Sequence, residues 1–217
     1  MVAYFTGNNI VQHNLKSKEI KFMPYTVHAR GVVQCVSVSP PMQQGHVLLA
    51  FTLELDSTII YIVELNQLKL QRSITVTNSK KYFTFIVFSN MGRFLISIIN
   101  TDSQLFYFDL SNGAVFGQHK VTAGTTTGPF KSVVTCISFH PADVNSLCSS
   151  RKGIFRQLTK GYKGFSMKQS PSSNKENNDF KSHIWAGDNR IITASADGLC
   201  TASRARTTSQ QSRSRTS

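Results

Sequence analysis

Apolar and polar residues alternate in short runs, and the runs repeat. VVQCVSVSPP (32–41), YFTFIVFSNMG (82–92), VVTCISFHPAD (133–143) and SHIWAGDNR (182–190) each read as an alternating strand that enters a short turn. A second apolar strand follows almost at once in every case. Ser39 and Ser89 lie 50 residues apart, Ser89 and His140 51, and His140 and Gly187 47. Short strands recurring at this period predict an all-β chain built from β-propeller blades.

The repeats divide into four strands each. The second blade is predicted over 33–39, 46–53, 58–65 and 68–76, and the third over 83–89, 93–100, 104–110 and 114–121. The fourth takes 133–139, 146–150, 153–159 and 165–169, and the third strands end on matching leucines, Leu65, Leu110 and Leu158. The first blade offers only VAYFTG, IVQHNL and KEIKFM, without an innermost strand, and a fifth begins with SHIWAGD and RIITASADGLC. Blades therefore fall near 2–23, 32–76, 82–121, 132–169 and 181–200. QSPSSNKENNDFK (169–181) reads as a loop between blades, and the Ser/Arg stretch 201–217, with no apolar residue larger than alanine, reads as a disordered tail. The expected architecture is an incomplete arc of four to five blades whose bare end faces need missing blades or a partner to close the ring.

Charge changes the picture only once it is located. The net charge of +13 suggests nucleic acid, but residues 150–181 alone carry eight basic and two acidic residues, and 201–217 add four arginines with no acid. The body of the chain is only mildly basic. No apolar run is long enough to span a bilayer as a helix, and MVAYFTGNNIVQ lacks the features of a secretory leader. Cys35, Cys136, Cys148 and Cys200 form no CxxC pair, so reduced structural thiols in the cytosol or a continuous compartment are expected. The six histidines are scattered without metal-ligand spacing, and Asp188-Asn189 and Asp197-Gly198 read as hairpin turns. No nucleophile, base or metal cluster recurs, so neither an enzyme nor a cofactor is expected.

The spacing VSVSP, HVLLAFT, IIYIVEL, repeated as FIVFSNMGRFLISI and LFYFDL, resembles the WD-repeat family. The Trp-Asp mark is absent, Glu64-Leu65, Asp109-Leu110 and Gln157-Leu158 standing in its place. GNNIVQHNLKSKEIKFMP, VSVSP, IYIVEL, VTCISFHPADVNSLCSSRKGIFRQLTKGYKGFSMKQ and SHIWAGDNRIITASADGLC occur in an order similar to the first propeller of the cilia- and flagella-associated WD-repeat proteins, over residues 4–200. That resemblance implies a non-enzymatic scaffold on the axoneme of a cilium or flagellum, with protein partners such as tubulin or inner-arm dynein components. The alternative is a generic cytosolic or nuclear WD-repeat adaptor, with RNA as a conceivable ligand.

One stretch offers a candidate contact surface. Arg151, Lys152, Arg156, Lys160, Tyr162, Lys163 and Lys168 interleave cations with aromatics, a pattern that suits single-stranded nucleic acid or an acidic protein surface. The bland reading is a solvated outer strand. The resemblance to proteins of a microtubule organelle favours a protein partner.

Overall fold

The computed structural model describes residues 2–6, 9–23, 32–42, 45–54, 58–76, 82–99, 104–120, 134–151, 154–161, 164–169, 179–187 and 189–204. Their strands are β1 (Val2–Thr6), β2 (Asn9–His13), β3 (Ile20–Phe22), β4 (Val33–Val38), β5 (Leu48–Leu53), β6 (Ile59–Glu64), β7 (Lys69–Thr75), β8 (Phe83–Phe88) and β9 (Phe94–Ile99). They continue as β10 (Gln104–Asp109), β11 (Ala114–Lys120), β12 (Val134–Phe139), β13 (Ser146–Arg151), β14 (Ile154–Gly161), β15 (Gly164–Gln169), β16 (Phe180–Ala186), β17 (Arg190–Ser195) and β18 (Cys200–Arg204). Five antiparallel meanders result, β1–β3, β4–β7, β8–β11, β12–β15 and β16–β18. Two compact units hold them: Met1–Gly124 carries the first three sheets and Thr125–Ser217 the last two.

The strands β4, β8, β12 and β16 share a bulge. Their ladders to the next strand slip at Val33/Cys35, Phe83/Phe85, Val134/Cys136 and Phe180/Ser182. A bulge bends a strand and raises its twist, so its recurrence marks one repeated design. The following turn repeats as well, with the N–H of Ser39, Ser89 and His140 donating to the carbonyls of Leu48, Phe94 and Ser146 at 2.8 Å each.

Register corrects three sequence expectations. Counted from the bulge, Ala186 and not Gly187 matches His140, which shortens the last repeat by one residue. The N–H of Leu65 bonds to Val47 O and that of Leu110 to Arg93 O, but in β14 the equivalent bond runs from Lys160 to Asn145 O. Lys160 therefore matches the two leucines, and Leu158 does not. Residues 201–204, expected to open a disordered tail, instead form most of β18, paired with β17 through Thr193↔Thr201 and Ile191↔Ser203. A ladder is held by main-chain groups, so an exposed edge strand needs no apolar side chains. The remainder of the expected tail, 205–217, and the middle of the expected loop, 170–178, lie outside the described residues.

Burial follows strand position. The second strands β5 and β13 are buried at all six residues and β9 at five of six, whereas β8 and β12 alternate. Within the first unit, Leu49, Phe51 and Leu53 pack with Ile10 and Met23, and on the other face Ala50, Ile60 and Ile62 pack with Phe83, Phe88, Leu95 and Phe106. In the second unit Cys148 and Phe155 pack against Phe180, Ile191 and Trp185. Phe106, fully enclosed, is a sensitive probe of this packing. Phe106→Ala should cost about 3–5 kcal/mol in urea unfolding, while Val38→Thr on an exposed position should stay within about 0.5 kcal/mol.

Candidate functional site

Polar side chains enter the first unit's sheets at strand ends. Leu48↔Glu64 and Phe94↔Asp109 are matching pairs, so Glu64 and Asp109 occupy one repeated position. Glu64 meets His46 Nδ1 at 3.3 Å, and Asp109 accepts from Arg93 Nη2 at 2.8 Å and from the Ser111 N–H and hydroxyl at 2.9 and 2.7 Å. The bond from Arg93 holds the Asp109 carboxyl down at about 2. In the second unit the matching pair is Ser146↔Thr159, so that position is uncharged, and Gln157 lies two residues earlier than the expected equivalence.

The second unit instead carries a network of uncharged groups between β12, β13 and β16. His183 places Nε2 2.7 Å from Ser138 Oγ and Nδ1 3.1 Å from Ser150 Oγ. The Trp185 indole N–H donates to Ser138 Oγ at 3.0 Å, and the Thr135 hydroxyl reaches Phe180 O at 2.7 Å. His140 Nε2 contacts Asn189 Oδ1 at 2.8 Å, and its ring meets Trp185 edge-on with centroids 4.5 Å apart. Burial pushes His183 down to about 4, so the ring is neutral at pH 7 and one nitrogen accepts while the other donates. Ser138 and His183 stand in hydrogen-bond reach, but the far ring nitrogen faces a hydroxyl and not a carboxylate. The arrangement stitches two sheets together.

The thiols serve the same end. Cys35 Sγ lies 3.2 Å from Phe83 O and Cys136 Sγ 4.0 Å from His183 O, so both first-strand cysteines contact a carbonyl of the next sheet's first strand. Burial raises the Cys35 thiol to about 11 and pushes Cys148 higher still. Among the described residues no three His, Cys, Asp or Glu side chains gather as a metal site.

The candidate basic surface does not lie on one outer strand. Arg151 ends the second strand, Arg156 and Lys160 sit on the third, and only the backbone of Lys168, on the fourth, is described. Arg151 is 3% exposed and Arg156 6%, while Lys160 is half-buried. Lys152, Tyr162 and Lys163 lie outside the described residues. The sequence marked the two arginines as surface cations; their register neighbours, rather than their residue type, are what reveal burial. The His183 network was likewise missed, its only signal being the serines of VTCISF and SLCSSR.

No protein-family model matches the chain, and no curated protein matches it. The sheets are blades of a β-propeller. Among solved structures the chain is similar to the β-propeller domain of Cps50 (Swd1) from Myceliophteria thermophila, at 15% identity and a TM-score of 0.62, covering 81% of this chain and 52% of that one. The chain thus spans about half the length of the propeller domain it matches.

The histidine network sets a pH dependence. His183 takes up a proton near 6.5 when unfolded and only near 4 when folded, so the folded state binds fewer protons between those values. Stability should be complete above pH 6.5 and fall by about 3 kcal/mol as pH drops to 4. Urea midpoints across that range check it, and His183→Asn should flatten the slope.

Proposed function

We propose that this chain is a non-enzymatic WD-repeat scaffold that works through protein–protein contacts in the axoneme of a cilium or flagellum. The observation that carries the scaffold reading is the commitment of its polar side chains to packing: Asp109 to Arg93, Glu64 to His46, and His183 to two serine hydroxyls. The ciliary home rests on the ordered resemblance to the first propeller of the cilia- and flagella-associated WD-repeat proteins, protein 57 above all. Immunolocalisation of a tagged copy in a flagellated cell should give an axonemal signal. A purely nuclear signal would leave the generic adaptor as the reading.

The surface proposed for contact is the basic stretch without the buried Arg151 and Arg156, that is Lys152, Lys160, Tyr162, Lys163 and Lys168. Lysines recurring along this stretch suit an acidic protein face such as tubulin, by complementarity that salt weakens. Co-sedimentation with polymerised tubulin should fall several-fold between about 50 and 200 mM salt, and again when Lys160, Lys163 and Lys168 become alanine. Equal loss of single-stranded RNA binding in the same variant would favour the RNA-associated adaptor.

A further inference from the structure

The first sheet has three strands among the described residues, where the second and third have four. Register identifies the one it does not share. The Met23 N–H donates to Ile10 O just past the β2–β3 ladder, as the Val76 N–H donates to Thr58 O just past the β6–β7 ladder. So β2 and β3 match β6 and β7, β1 matches β5, and no described strand of this sheet stands in the place of β4. Ile10 gives its carbonyl to β3, so its ladder partner Phe5, and with it Ala3, turn their main-chain N–H and C=O groups to the open edge of β1.

Exposure on the adjoining sheet agrees. Counted from the bulge, Val36 and Val38 of β4 match Ile86 and Phe88 of β8. Ile86 and Phe88 are 4% and 6% exposed, whereas Val36 and Val38 are 44% and 48% exposed. The difference lies in what stands in front of them. β8 has β4 against it, with Cys35 Sγ 3.2 Å from Phe83 O and the Phe88 N–H donating to Ser37 Oγ at 3.3 Å. In the second unit β12 meets β16 in the same way, with Cys136 and Ser138 facing His183. A first strand thus turns a cysteine and a serine, two residues apart, onto the next first strand, and small side chains suit so close an approach. The strip of Val36 and Val38 also continues an existing interface, because their ladder partners Phe51 and Leu49 pack with Ile10 and Met23.

We propose that the open edge of β1 and the exposed strip of β4 form an acceptor groove for one extended segment of another protein chain, which adds to the first sheet beside β1. Its main chain continues the antiparallel ladder from Ala3 and Phe5. Its side chains alternate, with Ser, Thr or Cys at successive inward positions against Val36 and Val38, as Cys35 and Ser37 stand against β8. The groove lies within the first unit, and it depends on neither the ciliary setting nor the lysine stretch.

Fluorescence anisotropy of a labelled synthetic peptide of residues 134–140, VTCISFH, titrated with the full chain tests this, because the peptide carries the required alternation. Binding should saturate and change less than about twofold between about 50 and 200 mM salt, unlike binding at a lysine surface. Val36→Asp with Val38→Asp alters exposed positions, so the variant should fold, and it should bind the peptide about tenfold more weakly or worse. In the peptide, the Ser138 N–H lies two residues before the His140 N–H that bonds to Ser146 O in the chain, so it points towards the ladder. N-methylation at Ser138 should weaken binding about tenfold, and N-methylation at Ile137, which points away, should not. Changing Lys160, Lys163 and Lys168 to alanine should leave the peptide bound, which separates failure of the groove from failure of the lysine surface. No saturable binding, undiminished binding to the aspartate variant, or equal loss from the two N-methylated peptides would each overturn the groove. A dimer in sedimentation equilibrium that the same aspartates dissociate would overturn the separate partner in favour of a second copy.

Discussion

A sheet covered on both faces leaves its inner strands no solvent-facing side, and that constraint governs the rest of this molecule. LLAFTL and FLISII are almost wholly apolar because every position on them but Phe94 is buried. Their main-chain groups are satisfied by ladders on both edges, so only side-chain chemistry remains to be accommodated. Polar residues then appear at strand ends, as with Glu64 and Asp109, where a partner on the adjoining turn is within reach. Each of these two carboxylates is bonded to a neighbour in its own sheet.

The second unit meets the same constraint with different chemistry. SLCSSR is as deeply buried as LLAFTL, yet it carries three serines and an arginine. On the face towards β16, Ser150 of this strand and Ser138 of β12 both bond to His183, which burial keeps uncharged. That solution depends on β16 supplying the imidazole at the correct height, and the shared bulge fixes that height. On the opposite face the same strand presents Arg151 and β14 presents Arg156, with no comparable set of acceptors for the first.

How much of this was legible in the sequence follows from what repeats. The strand boundaries of β4 to β11 were readable within a residue or two, because alternating and continuous apolar runs succeed one another there in a fixed order. The fifth sheet was read less well. TASR has no apolar content to mark it as a strand, and the main-chain pairing that makes β18 leaves no trace in composition. Leu158 is mismatched for a related reason: shared leucines do not set the register, whereas the hydrogen bonds from 65, 110 and 160 do. The candidate surface suffered most. Arginine and lysine look alike in a charge count, but Arg151 and Arg156 fall at inward-facing register positions and Lys160 at a strand end.

The fold's regularity is what makes its departures informative. In a single sheet, a buried arginine is hard to distinguish from a side chain that found a tolerable niche. Here the same position can be inspected three times, and twice it holds an aliphatic residue with no exposure. A replacement of leucine by arginine at such a site loses apolar contact and adds a desolvated charge, so stability alone gives no reason to keep it. The second substitution, at the diagonal position, adds like charge where a neutral or acidic residue would relieve it. The repeat supplies the comparison that shows both arginines to be departures from the pattern.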